Sequence, residues 1–91
     1  MNKGEFTRAL AEKTGLTIKD STAALEATLD IIQETLQKGE PVSFVGFGVF
    51  EVKRRAARIG RNPRTKEAVE IAASKAPAFK PGKPLKEAIN G

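Results

Sequence analysis

The chain has no cysteine, histidine, tryptophan or tyrosine. Without cysteine there is no disulfide framework, and without cysteine or histidine the usual zinc sites cannot be assembled. The serines have no visible base partner. Pro81-Gly82-Lys83-Pro84 lacks both the glycine spacing and the Ser or Thr of a phosphate loop. Nothing supports catalysis, so no catalytic residue, no metal and no cofactor is expected. No apolar run approaches the roughly 18 residues of a membrane span. Met1 to Lys13 mixes charges and lacks the apolar centre of a secretory signal. A soluble, cytoplasmic protein with no membrane contact is the expectation.

What the chain does have is localised positive charge. Lys53, Arg54, Arg55, Arg58, Arg61, Arg64 and Lys66 follow one another with no acidic residue between them. The whole chain carries +5, so this stretch carries +7 and everything else sums to −2. A pI near 9.8 with the basic residues clustered points to nucleic acid, ahead of anionic lipid or an acidic protein. Val49, Phe50 and Val52 precede the run, and Val69 and Ile71 follow it; all have strand-forming side chains. Gly60-Arg61-Asn62-Pro63 at the centre is a turn signal. The expected structure is a long basic β-hairpin, marginal by itself and in need of a body to hold it.

That body lies on either side. Asn2 with Glu5 starts a first helix that Gly15 stops, and Thr17 with Asp20 starts a second that runs to about Lys38, before Gly39 and Pro41. The second helix has two adjacent apolar stripes: Leu25, Leu29, Ile32 and Leu36, then Ala24, Ala27, Thr28 and Ile31. Together they are wider than one short helix covers, which suggests packing against a second subunit. Glu26, Asp30 and Glu34 line the opposite side as a solvated carboxylate row. Val42 to Val45 forms a short strand, and Gly46-Phe47-Gly48 turns it into the ribbon. Phe44, Phe47, Phe50 and Phe79 lie outside the basic run, where core packing is favoured over base stacking. Ala68 to Ser74 alternates as the return strand, Ala76 to Phe79 leaves the ribbon, and Pro84 opens a terminal helix. With 91 residues and a projecting arm, the remaining core is small enough that a dimer is expected.

Three motifs stand in order: Val45-Gly46-Phe47-Gly48-Val49-Phe50, then Arg58 with Gly60-Arg61-Asn62-Pro63-Arg64-Thr65, then Phe79-Lys80-Pro81-Gly82-Lys83 with Leu85-Lys86. With the element order, they make the whole chain resemble the bacterial HU-type histone-like DNA-binding proteins, the family that includes integration host factor. The resemblance implies an α+β fold: an intertwined homodimer with a helical body and two long basic β-hairpin arms. Residues 1–45 would form the helical dimerisation part, 46–79 the sheet with an arm at about 53–76, and 80–91 the C-terminal helix. It further implies a nucleoid-associated protein that binds, bends and compacts double-stranded DNA with little sequence preference.

The arm residues matched are Arg55, Arg58, Arg61, Asn62, Pro63 and Arg64, with Lys3, Lys80, Lys83 and Lys86 as body-side phosphate contacts. Lys53 and Lys66 of the basic run complete the candidate set. The residues alone leave Pro63 open between a turn residue and a wedge; the resemblance implies the wedge, and with it a preference for bent, nicked or gapped DNA. Alternatives are a site-specific DNA-bending subunit like integration host factor or, with no exposed aromatic platform to favour it, an RNA-binding module. In one respect the chain departs from the family. Lys66 stands where the family usually carries a glycine, so the sequence leaves open whether the backbone just past the tip is left-handed.

Overall fold

Asparagine at position 2 ends up where its chemistry places it. In the computed structural model, which describes residues Met1 to Gly91, helix α1 spans Lys3–Thr14 and the Glu5 N–H donates to Asn2 Oδ1 at 2.8 Å. Gly15 closes the helix in the left-handed region, φ 78°, its N–H donating to the Ala11 carbonyl. Helix α2 spans Ile18–Gln37, and Thr17 Oγ1 accepts the Asp20 N–H at 3.0 Å. It stops one residue before the expected end. The Glu40 N–H reaches back to the Thr35 carbonyl and the Gly39 N–H to that of Leu36, a paired closure that needs the positive φ of 79° at Gly39. No helix is long and apolar enough to cross a membrane.

The first compact unit is Met1–Glu34. Thr7, Ala11 and Ser21 are its buried residues, and Lys3 Nζ lies 2.8 Å from Glu26 Oε1. Phe6 of α1 and Leu25 and Leu29 of α2 line an open apolar groove beside Met1.

The second unit is Thr35–Gly91. Strands β1 (Val42–Phe44), β2 (Gly48–Arg55) and β5 (Ser74–Pro81) form an antiparallel sheet in the order β1-β2-β5. Gly46, φ 85°, makes the tight link between β1 and β2. Phe50 faces Phe79 across β2 and β5 with ring centroids 4.8 Å apart; Phe47 leans on Phe79 at 5.5 Å and Phe44 meets Phe50 edge-on at 6.2 Å. Gly48 makes room for this cluster, since a Cβ there would lie 2.6 Å from Phe79 Cζ and 2.7 Å from the Lys80 carbonyl oxygen. Ala76 to Phe79 was expected to leave the ribbon, but all four residues stay paired with β2. Pro77 is tolerated because β5 is an edge strand, where a missing N–H need not break an interior ladder. Helix α3 spans Lys83–Asn90, with Pro84 in its first turn as expected.

A single chain has almost no interior. Ala11 is the only buried hydrophobic residue, while Ile31 is 60% exposed, Phe47 47%, Val45 101% and Ile89 76%.

Candidate nucleic-acid interface

Two further strands carry the ribbon outward: β3 (Arg58–Arg61) and β4 (Ala68–Ile71). The return strand expected over Ala68 to Ser74 is therefore divided. Arg55 pairs with Ser74, and pairing resumes at Arg58 with Ile71 in the same register. The two unpaired steps between them hold Ala56 and Ala57 on one side and Ala72 and Ala73 on the other. Alanine offers no cross-strand packing beyond a methyl group, so side chains contribute little to holding the ladder closed there.

Gly60, read in the sequence as part of the turn, is a strand residue facing Val69. Its missing side chain is used: a Cβ would fall 2.9 Å from Ile71 Cδ1. Ile71 lies over the glycine, which gives this thin ribbon one of its few apolar contacts.

The turn itself is Asn62 to Glu67. The Asn62 N–H donates to the Glu67 carbonyl at 2.9 Å, and the Lys66 N–H donates to the Asn62 carbonyl at 2.7 Å. Asn62 Oδ1 accepts the Arg64 N–H at 2.9 Å, and Thr65 Oγ1 accepts the Glu67 N–H at 3.4 Å. Lys66 is the one non-glycine residue with positive φ, at 60°. The left-handed conformation that the sequence placed in doubt is present, with lysine adopting it.

Alternation along β2 sorts the basic run into two groups. Lys53 and Arg55 share one face, whereas Arg54 shares the face of Phe50 and Val52. The Arg54 guanidinium lies against Gly39, with Nη2 3.3 Å from where a Cβ would be. That is the end of α2, whose last turn contains no basic residue and whose carbonyls favour a cation. Lys75, outside the continuous basic run, faces Arg54 directly. With Arg55, Ser74, Ala56 and Ala73 these two line a groove at the root of the arm. Only strand register reveals Lys75; a search for uninterrupted charge passes over it.

Arg58 faces Ile71 and Arg61 faces Ala68, and neither has an acidic partner. Pro63, Arg64 and Lys66 are exposed at the tip, whereas Asn62 is half-buried. The body lysines belong to three different elements. Lys3 belongs to the first unit and is already paired with Glu26; Lys80 faces Val49 on the sheet; Lys83 stands 3.9 Å from Glu87 Oε1 on α3; and Lys86 is exposed on the same helix. The structure thus brings the arm residues together on one ribbon, while Lys80 lies on the sheet and Lys83 and Lys86 on α3 of the same unit. No group of acidic side chains is arranged to hold a metal ion.

The chain matches known proteins over nearly its whole length. A DNA-binding protein HU of Geobacillus stearothermophilus is 58% identical over 89 residues, covering 98% of this chain and 99% of that protein. One from Haemophilus influenzae is 55% identical over 89 residues, with coverage of 98% and 99%. Among solved structures, an Anabaena HU–DNA cocrystal structure superposes with a TM-score of 0.87 at 48% identity, covering 98% of this chain and 97% of that one. The family model described as bacterial DNA-binding protein matches residues 1–90, and the chain belongs to that family.

Proposed function

We propose that this chain forms a homodimeric architectural protein of the nucleoid, which binds double-stranded DNA with little sequence preference, bends it and compacts it. The observation that carries the proposal is the arm: seven basic residues on one two-stranded ribbon that ends in an internally hydrogen-bonded turn presenting Pro63. Similarity to a protein solved as an HU–DNA cocrystal supports the same reading. Exposed phenylalanine, leucine and isoleucine on all three helices and on strands β1 and β5 supports the dimer, because a second copy is the partner whose apolar surface matches in kind and extent.

The mechanism follows from the side chains. Lys53, Arg55, Arg58, Arg61, Arg64 and Lys66 neutralise phosphates and release counterions, which supplies affinity without sequence information. Lys80, Lys83 and Lys86 extend the phosphate track on the body, and Lys3 joins it only by exchanging Glu26 for a phosphate. Pro63 is rigid, apolar and carries no N–H. Minor-groove architectural proteins, HU and integration host factor among them, insert such wedges between base steps, where unstacking costs a few kcal/mol and longer contact with bent DNA offsets it; that figure belongs to the class and not to this chain. Nicked or gapped DNA has already lost part of its stacking, so it is the preferred ligand. Nothing in this mechanism needs a nucleophile, a metal or a cofactor.

The experiment is energy transfer between the ends of a doubly labelled duplex at saturating protein, comparing wild type with Pro63→Ala. The substitution keeps every charge, so binding persists while the bend and the preference for nicked over intact DNA shrink. Equal shortening by both proteins would leave Pro63 as a turn residue only.

A further inference from the structure

We infer that Asn62 is a positioning residue, which sets the direction of the Pro63 ring through a hydrogen bond across it instead of contacting DNA through its own amide; this rests on the wedge reading above. A proline at a tip cannot anchor itself, since it has no N–H to donate. Its ring is aimed by three backbone rotations: ψ of residue 62, φ of residue 63 and ψ of residue 63. The ring fixes the second, and the clash of proline with the preceding residue confines the first to the extended range. Only ψ of Pro63 remains free.

The bond from the Arg64 N–H to Asn62 Oδ1, 2.9 Å long, spans Pro63 and closes that last freedom. Asn62 is itself held at both backbone ends, donating to Glu67 at 2.9 Å and accepting from Lys66 at 2.7 Å. It is the one half-buried residue of the turn, whereas Pro63 to Glu67 are all exposed. The amide oxygen is thus committed to the turn. Serving as the brace of the wedge requires an acceptor at this position but no side-chain N–H donor, and that distinction makes the role testable.

The experiment uses the full-length protein as wild type, Asn62→Ala and Asn62→Asp. Aspartate keeps the acceptor and loses the amide donor. Its added charge weakens binding to every duplex and largely cancels in a ratio of affinities for nicked and intact DNA of the same sequence. In the free protein, NMR amide exchange at Arg64 is expected to quicken about fivefold in Asn62→Ala, the factor set by one ordinary hydrogen bond of about 1 kcal/mol, and to stay at the wild-type rate in Asn62→Asp. With DNA, the nicked-to-intact ratio is expected to fall by a similar factor in Asn62→Ala and to be restored in Asn62→Asp. A ratio that Asn62→Ala leaves intact overturns the inference. So does an Asn62→Asp protein whose Arg64 amide is protected while its ratio matches that of alanine, because the amide donor is then what DNA uses. Wild-type protein with no preference for nicked DNA would instead sink the wedge reading, and the positioning role would fall with it.

Discussion

Lys66 offers the sharpest separation of conformation from charge. Its φ of 60° is unfavourable for a residue with a Cβ, by about 1 kcal/mol. Lys66→Gly removes that strain but adds freedom to the unfolded chain, worth about 0.4–1 kcal/mol against folding. The two terms nearly cancel, so thermal stability should be unchanged or slightly raised. Lys66→Ala removes the same charge and keeps the strain. At about 4–8 °C per kcal/mol for a domain of this size, the glycine variant should melt at or above the alanine variant by up to a few degrees. Binding should respond the other way. Each variant loses one cation per arm, so the log–log salt dependence should flatten by about 1–2 in both, to the same extent. Melting is followed by circular dichroism, binding by fluorescence anisotropy across a salt series. If Lys66→Gly melts clearly below Lys66→Ala, the left-handed backbone is not what the protein adopts in solution. If the two variants bind with different slopes, the effect at this position is not one of charge.

The remaining predictions concern the arm, the sheet and the assembly. With roughly 6 phosphates neutralised when about half of the cations on two arms engage at once, the log–log slope for intact duplex should be about −5, and Arg58→Ala or Arg61→Ala should each flatten it; a slope near zero would contradict binding by counterion release. Gly48→Ala places a methyl 2.6 Å from Phe79 Cζ and 2.7 Å from a backbone oxygen that cannot turn aside, so it should destabilise by about 1–3 kcal/mol, read as a lowered denaturation midpoint. An unchanged midpoint would show that β2 and β5 do not approach so closely. Light scattering at micromolar concentration should give twice the 9.8 kDa chain mass, and a stable folded monomer there would refute the reading of the exposed apolar faces.

Local chemistry was the legible part. Asn2, Gly15, Thr17 and Gly39 act within a few residues of themselves, and each does in the structure what its type and spacing implied. The arm was legible as a run of charge, because electrostatics clusters in sequence when one hairpin carries it. What escaped depends on residues distant in sequence. Gly60 belongs to a strand because Ile71 needs the space above it. Pro77 remains in the sheet because β5 has a free edge, which no local pattern announces. Arg54 and Lys75 meet through register alone, across an intervening hairpin whose pairing has to be known before either position has a meaning. The left-handed backbone at Lys66 was visible only as a question, since lysine at that position conceals what glycine would have declared.

The same charges that suit the ribbon to DNA oppose its formation. Arg54 directly faces Lys75, a like-charged cross-strand pair that costs on the order of a few tenths of a kcal/mol, and neither Arg58 nor Arg61 forms an ion pair with a carboxylate. The ladder is interrupted at four alanines, and the apolar contacts beyond that point come down to Ile59, Val69 and Ile71, all left exposed. Burial therefore contributes little to the outer ribbon, and its order rests on backbone pairing and the hydrogen bonds of the Asn62 to Glu67 turn. Phosphates remove the electrostatic opposition, so a ligand that binds only the formed ribbon stabilises it by mass action. The body faces the reverse situation, with a slight net negative charge and apolar faces that a second copy would cover. Folding of the body is thus tied to a protein partner, and ordering of the arm to a polyanion.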